Sequence, residues 1–186
     1  MLEFRTLNES EIDVRVATAK KNGLCLLLYK DARVDQNILD ETVGPLDWQR
    51  EPLEIKGVLY CKVSLWDKEK SQWVSKSDCG VESYSEKEKG ESSDSFKRAC
   101  FNWGIGRELY TAPFTWVTSD RCNITTSTYQ GKEKYSCHDK FVVEKIKYDD
   151  KKNIIALSII NTSKKDPKGK PIRAFLLKPP VEEKGA

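Results

Sequence analysis

Two adjacent basic residues, followed one helical turn later by a phenylalanine, have the types and spacing that suit a nucleic-acid strand. Lys97, Arg98 and Phe101 fall in the segment from Ser95 to Tyr110, where apolar residues recur at helical spacing. On a helical wheel the two cations lie away from the apolar side, and Phe101 lies angularly between them. Phosphates need positive charge and bases need an aromatic face, so this arrangement predicts a surface for a single strand. The alternative is a solvated Lys–Arg pair with Phe101 at the rim of the core.

These side chains need a helix whose other side is buried. Phe96, Ala99, Cys100 and Trp103 share that other side, which is typical of a helix lying on a sheet. The run Ser92-Ser93-Asp94 just before it is predicted to cap the helix at its start.

The sheet beneath this helix is predicted from three successive segments. Trp48–Ile55, Gly57–Trp66 and Gln72–Val81 have strand patterns, and Asp67 to Ser71 is the predicted turn between the last two. The middle segment alternates strictly, with one wholly apolar set of side chains: Leu59, Cys61, Val63 and Leu65. Alternation of this kind places one face on a core. A polar linker, Glu82 to Glu91, is predicted between the last strand and the helix.

The remaining segments complete a predicted α+β fold. They are a capped helix from Asn8 to Gly23, a buried strand Leu24–Tyr29, a short helix Val34–Thr42, a hairpin of Lys140–Tyr148 with Ile154–Ile160, and a last strand Ile172–Leu177. We therefore predict an antiparallel β-meander packed against a long helix, with a C-terminal β-hairpin extension. Residues 1–118 form the predicted core, and residues 119–186 form a basic, β-rich extension of the same compact unit.

The length and charge of the chain favour one domain and say little about its partners. The chain has 186 residues and a formal net charge of +3, which is no nucleic-acid footprint by itself. Residues 1–119 carry 17 Lys and Arg against 20 Asp and Glu, whereas residues 120–186 carry 15 against 9. The predicted strand-binding cations thus lie in the acidic part, and position matters more than total charge.

Several function classes are disfavoured by what the sequence lacks. It has no phosphate-binding loop of the Walker type, and its single histidine, His138, lies in a charged loop. The six cysteines have no closely spaced pair, which indicates reduced thiols and no metal site. The first residues have no apolar leader, and the longest apolar run, Leu24 to Tyr29, is too short for a membrane span. We expect no catalytic residues, no cofactor and no membrane contact.

Two stretches resemble the Rad fifty-two / Rad twenty-two family of single-strand annealing proteins, especially its bacteriophage members. The first runs from Tyr29 to Trp48, with Arg33 before the short helix and Gly44-Pro-Leu-Asp-Trp48 after it. The second is Asp78-Cys-Gly80-Val-Glu82, a spacer, and then Ser93-Asp-Ser-Phe-Lys97-Arg98-Ala-Cys-Phe-Asn-Trp103-Gly104. With the strands between them, the resemblance spans roughly residues 8–118, and residues 119–186 match nothing in it.

The resemblance implies a module that assembles into rings and holds single-stranded DNA in a basic groove. Lys97 and Arg98 match the basic pair that lines the groove, and Arg33 matches the arginine before the short helix. The family often has another basic residue three places after the arginine, where this chain has Phe101. Either Phe101 stacks on a base where relatives contact a phosphate, or the groove of this chain carries less positive charge.

The function expected from the resemblance is ATP-independent annealing of complementary single strands in recombination and repair. The expected DNA-binding residues are Arg33, Lys97, Arg98 and Phe101, and the expected assembly is a homo-oligomeric ring. A phage exonuclease or a single-strand-binding protein would be its partner, in the cytoplasm of a bacterial host. Two other functions stay open: a metal-dependent nuclease that assists recombination, and an oligomeric scaffold that ignores DNA.

Overall fold

A computed structural model of the chain describes residues 2–81 and 87–180. Within them the fold is mixed α/β, mostly strands, with antiparallel sheets and two α-helices. The strands are β1 (Asp13–Lys20), β2 (Gly23–Tyr29), β3 (Trp48–Ile55), β4 (Val58–Asp67), β5 (Gln72–Cys79), β6 (Thr115–Thr118), β7 (Thr125–Tyr129), β8 (Lys132–Ser136), β9 (Phe141–Tyr148), β10 (Ile154–Lys165) and β11 (Pro171–Leu177). The α-helices are α1 (Ala32–Val43) and α2 (Lys87–Trp103). No helix in these ranges is both long and apolar enough to cross a membrane.

The chain divides into two compact units, and each is assembled from two separate stretches. The helical unit comprises Met1–Thr6 and Asp31–Arg107, and the sheet unit comprises Leu7–Lys30 and Glu108–Ala186. This division differs from the predicted boundary at residue 118, because β1 pairs with β9 and so joins the N-terminal and C-terminal segments in one sheet.

The helical unit contains the three predicted strands as one antiparallel sheet in the order β3-β4-β5. Lys56 and Gly57, both with positive φ, form the two-residue turn between β3 and β4, a geometry that suits the twist of a hairpin. On the central strand Cys61, Val63 and Leu65 are buried, as the alternation predicts. The strand segments Trp48–Ile55, Gly57–Trp66 and Gln72–Val81 are confirmed to within two residues at each end.

The last turns of α2 contact β4 and β5 through specific polar atoms. The Trp103 indole Nε1 donates a hydrogen bond to the Val63 carbonyl at 3.1 Å, and the Asn102 Nδ2 donates to the Ser77 carbonyl at 3.2 Å. On the helix itself Phe96, Ala99 and Cys100 are buried. These contacts fix the rotation of α2 about its axis, and therefore which of its side chains face solvent.

The sheet unit is built on six antiparallel strands in the order β11-β10-β9-β1-β2-β6. The two outer strands, β11 and β6, contact each other, so the sheet is strongly curved. Its inner face is lined by buried apolar side chains that include Leu24, Leu26, Leu28, Val117, Phe141, Val143, Leu157 and Ile159. The predicted strand at Leu24–Tyr29, the hairpin of β9 with β10 and the last strand are confirmed. Strands β7 and β8 form a separate exposed hairpin.

The predicted helix from Asn8 to Gly23 is wrong. The capping box does form, with the Asn8 backbone N–H donating to the Glu11 carboxylate at 2.8 Å, but it caps only a short 3-10 turn over Glu9–Glu11. The chain then extends as β1, which pairs with β2 along its length. The β-branched residues Val14, Val16 and Thr18 favour this extended backbone, and the pairing supplies hydrogen bonds that a lone helix would have made internally.

The predicted ends of the long helix are also wrong. α2 begins at Lys87, so Ser92–Asp94 lie inside it and do not cap it. The Asp94 carboxylate instead accepts a hydrogen bond from the Val81 N–H at 3.1 Å. At the other end Gly104 has a φ of +106° and stops the helix, and a separate 3-10 turn follows at Arg107–Thr111. The predicted linker, Glu82 to Glu91, overlaps α2 from Lys87 onward, and residues 82–86 lie outside the described residues.

Candidate nucleic-acid interface

Arg33 lies in the first turn of α1, beside the residue that caps this helix. The Asp31 carboxylate accepts one hydrogen bond from the Arg33 backbone N–H at 2.8 Å and two from its guanidinium, at 2.9 and 3.2 Å. The Arg33 side chain is nevertheless 82% exposed. The cap therefore fixes the position of the guanidinium while leaving most of its surface open to water.

The carboxylate of Asp31 also feels the positive charge of Lys97. Hydrogen bonds from Arg33 contribute most to lowering the pKa of Asp31 to about 2, and the ammonium of Lys97 adds a smaller attraction. The helices α1 and α2 contact each other within the helical unit. Arg33 and Lys97, distant in sequence, both lower the pKa of this one carboxyl.

Arg98 is associated with a different element from its neighbour. Its Nε atom lies 3.7 Å from Oδ1 of Asp78, near the end of β5, and its side chain is 46% exposed. The other oxygen of Asp78 accepts a hydrogen bond from the Asn102 Nδ2 at 3.2 Å, one helical turn further along α2. Arg98 therefore pairs with Asp78, whereas the charge of Lys97 acts on Asp31.

Phe101 follows Lys97 by one turn of α2 and is half-buried. The guanidinium carbon of Arg107 lies 5.4 Å from the centre of its ring, and the Arg107 Nε donates a hydrogen bond to the Phe101 carbonyl at 2.8 Å. A cation thus already covers part of the ring. Whether Phe101 stacks on a base stays a prediction, and the partial burial fits a position at the edge of the core equally well.

Two basic residues that were not predicted from the sequence bind the last turn of α2. Arg107 Nη2 and Lys76 Nζ each donate a hydrogen bond to the Asn102 carbonyl at 2.9 Å, and the Lys76 ammonium lies 4.4 Å from the centre of the Trp103 ring. The last carbonyls of a helix have no partner within it and carry partial negative charge, so cations are stabilising there. The sequence does contain a sign of this contact, since Arg107 follows shortly after Gly104, the glycine that ends the helix.

The arginines of this surface form exposed ion pairs with carboxylates of the chain. Asp31 and Asp78, both missed at the sequence level, compensate Arg33 and Arg98. Exposed pairs of this kind contribute only about 0–1 kcal/mol each, since water and salt screen them. A phosphate oxygen can therefore take the place of either carboxylate at small cost, and it offers the same bidentate geometry to a guanidinium.

Across residues 2–81 and 87–180, no three or more His, Cys, Asp or Glu side chains are grouped so as to hold a metal ion. Burial raises the pKa of the Cys61 thiol beneath the sheet, which keeps it protonated.

The four predicted residues all belong to the helical unit, and three of them lie on one helix. Lys97, Arg98 and Phe101 are carried by α2, and Arg33 and Lys97 both act electrostatically on the Asp31 carboxylate. Asp78 and Arg107 belong to the same surface through their contacts with Arg98 and Phe101. Comparison of the chain with protein-family models, with curated proteins and with solved structures gives no match.

Proposed function

We propose that this chain is an ATP-independent single-strand annealing protein of the Rad fifty-two / Rad twenty-two type, as found in phages. It binds single-stranded DNA and promotes pairing of complementary strands in recombination and repair, without hydrolysing nucleotides or using a cofactor. Arg33, Lys97 and Arg98 bind phosphates, and Phe101 contacts a base.

The observation that carries the proposal is that the Arg33 guanidinium is held at the Asp31 carboxylate and is 82% exposed, and that the positive charge of Lys97 also acts on this carboxylate. A phosphodiester in the position of Asp31 would bind the guanidinium of Arg33 and would also be attracted by the ammonium of Lys97. Arg98, next along α2, would then bind a neighbouring phosphate. This arrangement neutralises the backbone of a strand, which lowers the repulsion between two strands that are about to pair.

The fold proposed for this function is a single-strand annealing module in which the β3-β4-β5 meander packs against the long helix α2. The hydrogen bonds from Trp103 to Val63 and from Asn102 to Ser77 support this packing. The order of elements in the helical unit also agrees: a short helix, three antiparallel strands and a long helix.

In this proposal the affinity for single-stranded DNA comes from repeating the same contacts in many subunits. One subunit offers three cations, each already facing or near a carboxylate, and such a site binds a strand weakly by itself. In a homo-oligomeric ring the same contacts repeat along one strand, and they act as a multivalent surface. A phage exonuclease or a single-strand-binding protein is the proposed partner, in the cytoplasm of the bacterial host.

The test is light scattering of the full chain with and without a poly-dT oligonucleotide, followed by annealing of two complementary labelled strands without ATP. An annealing protein forms an oligomer, binds the oligonucleotide and accelerates pairing. A scaffold would form the oligomer and ignore the oligonucleotide. A nuclease would shorten the labelled strand when Mg²⁺ or Mn²⁺ is added. Either of the last two results would contradict the proposal.

A further inference from the structure

The outer face of the sheet unit carries an open groove that the proposed function does not use. The groove has a volume of about 340 Å³ and runs over strands β9, β10 and β11. Direct strand pairing places Lys145, Ser158 and Leu176 in one row across it, and Lys147 beside Ala156 in the next row. The pairing of β10 with β9 and the pairing of β10 with β11 each have a register shift next to Ile159. Such shifts change which way the flanking side chains point.

The rim of this groove is basic. Its described lining residues include four cations, Lys145, Lys147, Arg173 and Lys178, and one acid, Glu144. Among the residues that the structure describes, the three lysines form no ion pair, in contrast to Arg33 and Arg98 of the helical unit. An anion that reaches this groove therefore meets three lysines that form no ion pair with a carboxylate of residues 2–81 or 87–180.

The single acid is already occupied. The Glu144 carboxylate accepts a hydrogen bond from the Ser158 hydroxyl at 2.6 Å and another from the Arg173 guanidinium at 3.4 Å. These contacts lower the pKa of Glu144. Its effect is to hold Arg173 across β10 at the groove, with about half of the arginine side chain still exposed.

The rest of the lining is aliphatic. Leu176 is 43% exposed, and Ala156, Leu177 and Pro179 line the same groove. Of the described residues that line it, none is aromatic. Single strands of nucleic acid bind to surfaces that combine positive charge with aromatic rings, on which the bases stack. An aliphatic surface between lysines suits a peptide that presents carboxylates around a leucine or isoleucine side chain.

We propose that this groove binds an acidic segment of a partner protein, in which Asp or Glu residues flank an aliphatic side chain. The aliphatic side chain lies on Leu176 and Ala156, and the carboxylates face Lys145, Lys147 and Lys178. This inference is independent of the proposed DNA surface, because the residues of the two sites belong to different units of the chain.

The test is fluorescence anisotropy of the full chain with a fluorescein-labelled peptide, Asp-Asp-Glu-Leu-Leu-Glu. Two matched peptides replace either its acids by Asn and Gln or its leucines by serine. We expect the parent peptide to bind at least about tenfold more tightly than either, and the binding to weaken with salt. The double variant Lys145→Glu/Lys147→Glu should lose this binding, and Leu176→Ser should weaken it.

The matched control is Lys132→Glu/Lys134→Glu on the exposed strand β8, which makes the same charge change outside the groove. It should bind the parent peptide as the unmodified chain does, and all variants should show the same thermal unfolding. Equal binding of the amide peptide, or an equal loss in the control variant, would overturn the proposal. So would loss of poly-dT binding in Lys145→Glu/Lys147→Glu, since the groove would then be a nucleic-acid surface. Loss of poly-dT binding in Lys97→Ala/Arg98→Ala leaves this proposal untouched.

Discussion

The Asp31 carboxylate both caps α1 and holds the guanidinium of Arg33 by two hydrogen bonds, of 2.9 and 3.2 Å. One side chain thus orients the arginine and at the same time cancels much of its charge. In the proposed annealing function the strand competes with Asp31 for Arg33 and Lys97. Asp31 therefore limits the affinity of the site that it helps to organise.

Replacing Asp31 by Asn should tighten binding of single-stranded DNA. Asn caps a helix as well as Asp, so α1 is retained, while the competing negative charge is removed. We expect an affinity gain of about fivefold, equivalent to about 1 kcal/mol, in anisotropy titrations with a poly-dT oligonucleotide at low salt. Asp31→Ala is the informative companion, because it also removes the cap and should cost about 1 kcal/mol of stability. Unchanged affinity in Asp31→Asn would show that Arg33 and Lys97 do not contact the strand.

Replacing Lys97 and Arg98 together by Ala should abolish strand binding and leave the fold intact. Both side chains are at least partly exposed, so their removal leaves no cavity in the core. In the unmodified chain log affinity should fall with log salt concentration by about 0.7 for each phosphate contacted. A single variant, Lys97→Ala, should retain binding with a shallower salt dependence.

The control for this charge change is Lys68→Ala/Lys70→Ala in the turn between β4 and β5. These lysines are exposed and pair with Asp47 and Asp67 in the same helical unit. The control should bind poly-dT as the unmodified chain does. If both double variants lose the same affinity, binding depends on net charge alone and not on the α2 surface.

Phe101 distinguishes a stacking contact from simple packing. Phe101→Ala should weaken binding by about 1–3 kcal/mol if a base stacks on the ring. Phe101→Tyr keeps the aromatic face and should restore binding, whereas Phe101→Leu keeps only the apolar volume and should not. Equal restoration by Leu and Tyr, measured by the same titration, would assign Phe101 to the edge of the core.

The strand patterns of this chain were predictable because alternation survives in the fold. The apolar set on β4 faces the core, and the strand expected at Leu24 forms as β2. Only one face of β2 is buried, since Leu27 is 42% exposed between the buried Leu26 and Leu28. The structure of the segment that forms β1 was not predictable in the same way. Its capping box at Asn8 does form, but it supports only one 3-10 turn. What decides its structure is pairing with β2 and β9, and β9 lies far away in sequence.

The cations of the candidate site were predictable from helical spacing, but their electrostatic environment was not. Lys97, Arg98 and Phe101 do share one helix, α2. Arg98 pairs with Asp78 on β5, and the charge of Lys97 acts on Asp31, which precedes α1. Only tertiary structure brings such residues together. A helical wheel of α2 shows its charged residues but not the carboxylates of other elements that interact with them.

Acid should weaken the helical unit through Asp31. The pKa of this carboxyl is lowered from 3.8 to about 2, first by its hydrogen bonds with Arg33. A carboxyl whose pKa is lowered by folding stabilises the folded state above its unfolded value, near pH 4, and this stabilisation is lost as the pH falls through about 2. Urea unfolding between about pH 5 and about pH 2 should therefore show a smaller loss of unfolding free energy on acidification for Asp31→Asn than for the unmodified chain. Parallel curves for the two would mean that the ion pair adds nothing to stability.

Gly80 should be essential for the close approach of β5 to α2. A Cβ atom at this position would lie 2.1 Å from the Glu91 carbonyl oxygen and 3.0 Å from the Ser95 backbone nitrogen, both on the helix. Backbone atoms cannot rotate away as a side chain would, so Gly80→Ala should displace α2 and cost about 1–3 kcal/mol of unfolding free energy. Because α2 carries Lys97 and Arg98, binding of poly-dT should weaken as well.

The matched control for Gly80→Ala is Gly57→Asn, in the turn between β3 and β4. Gly57 has a φ of +76° and nothing within 4 Å of a Cβ atom, and Asn tolerates this left-handed backbone better than other side chains. The control should therefore unfold within about 1 kcal/mol of the unmodified chain and bind poly-dT normally. If Gly80→Ala matched this control in both urea unfolding and strand binding, the position of α2 would not depend on the missing side chain. The contact of the helix with β5 would then tolerate a methyl group, and the glycine in the Asp78-Cys-Gly80 stretch would need another explanation.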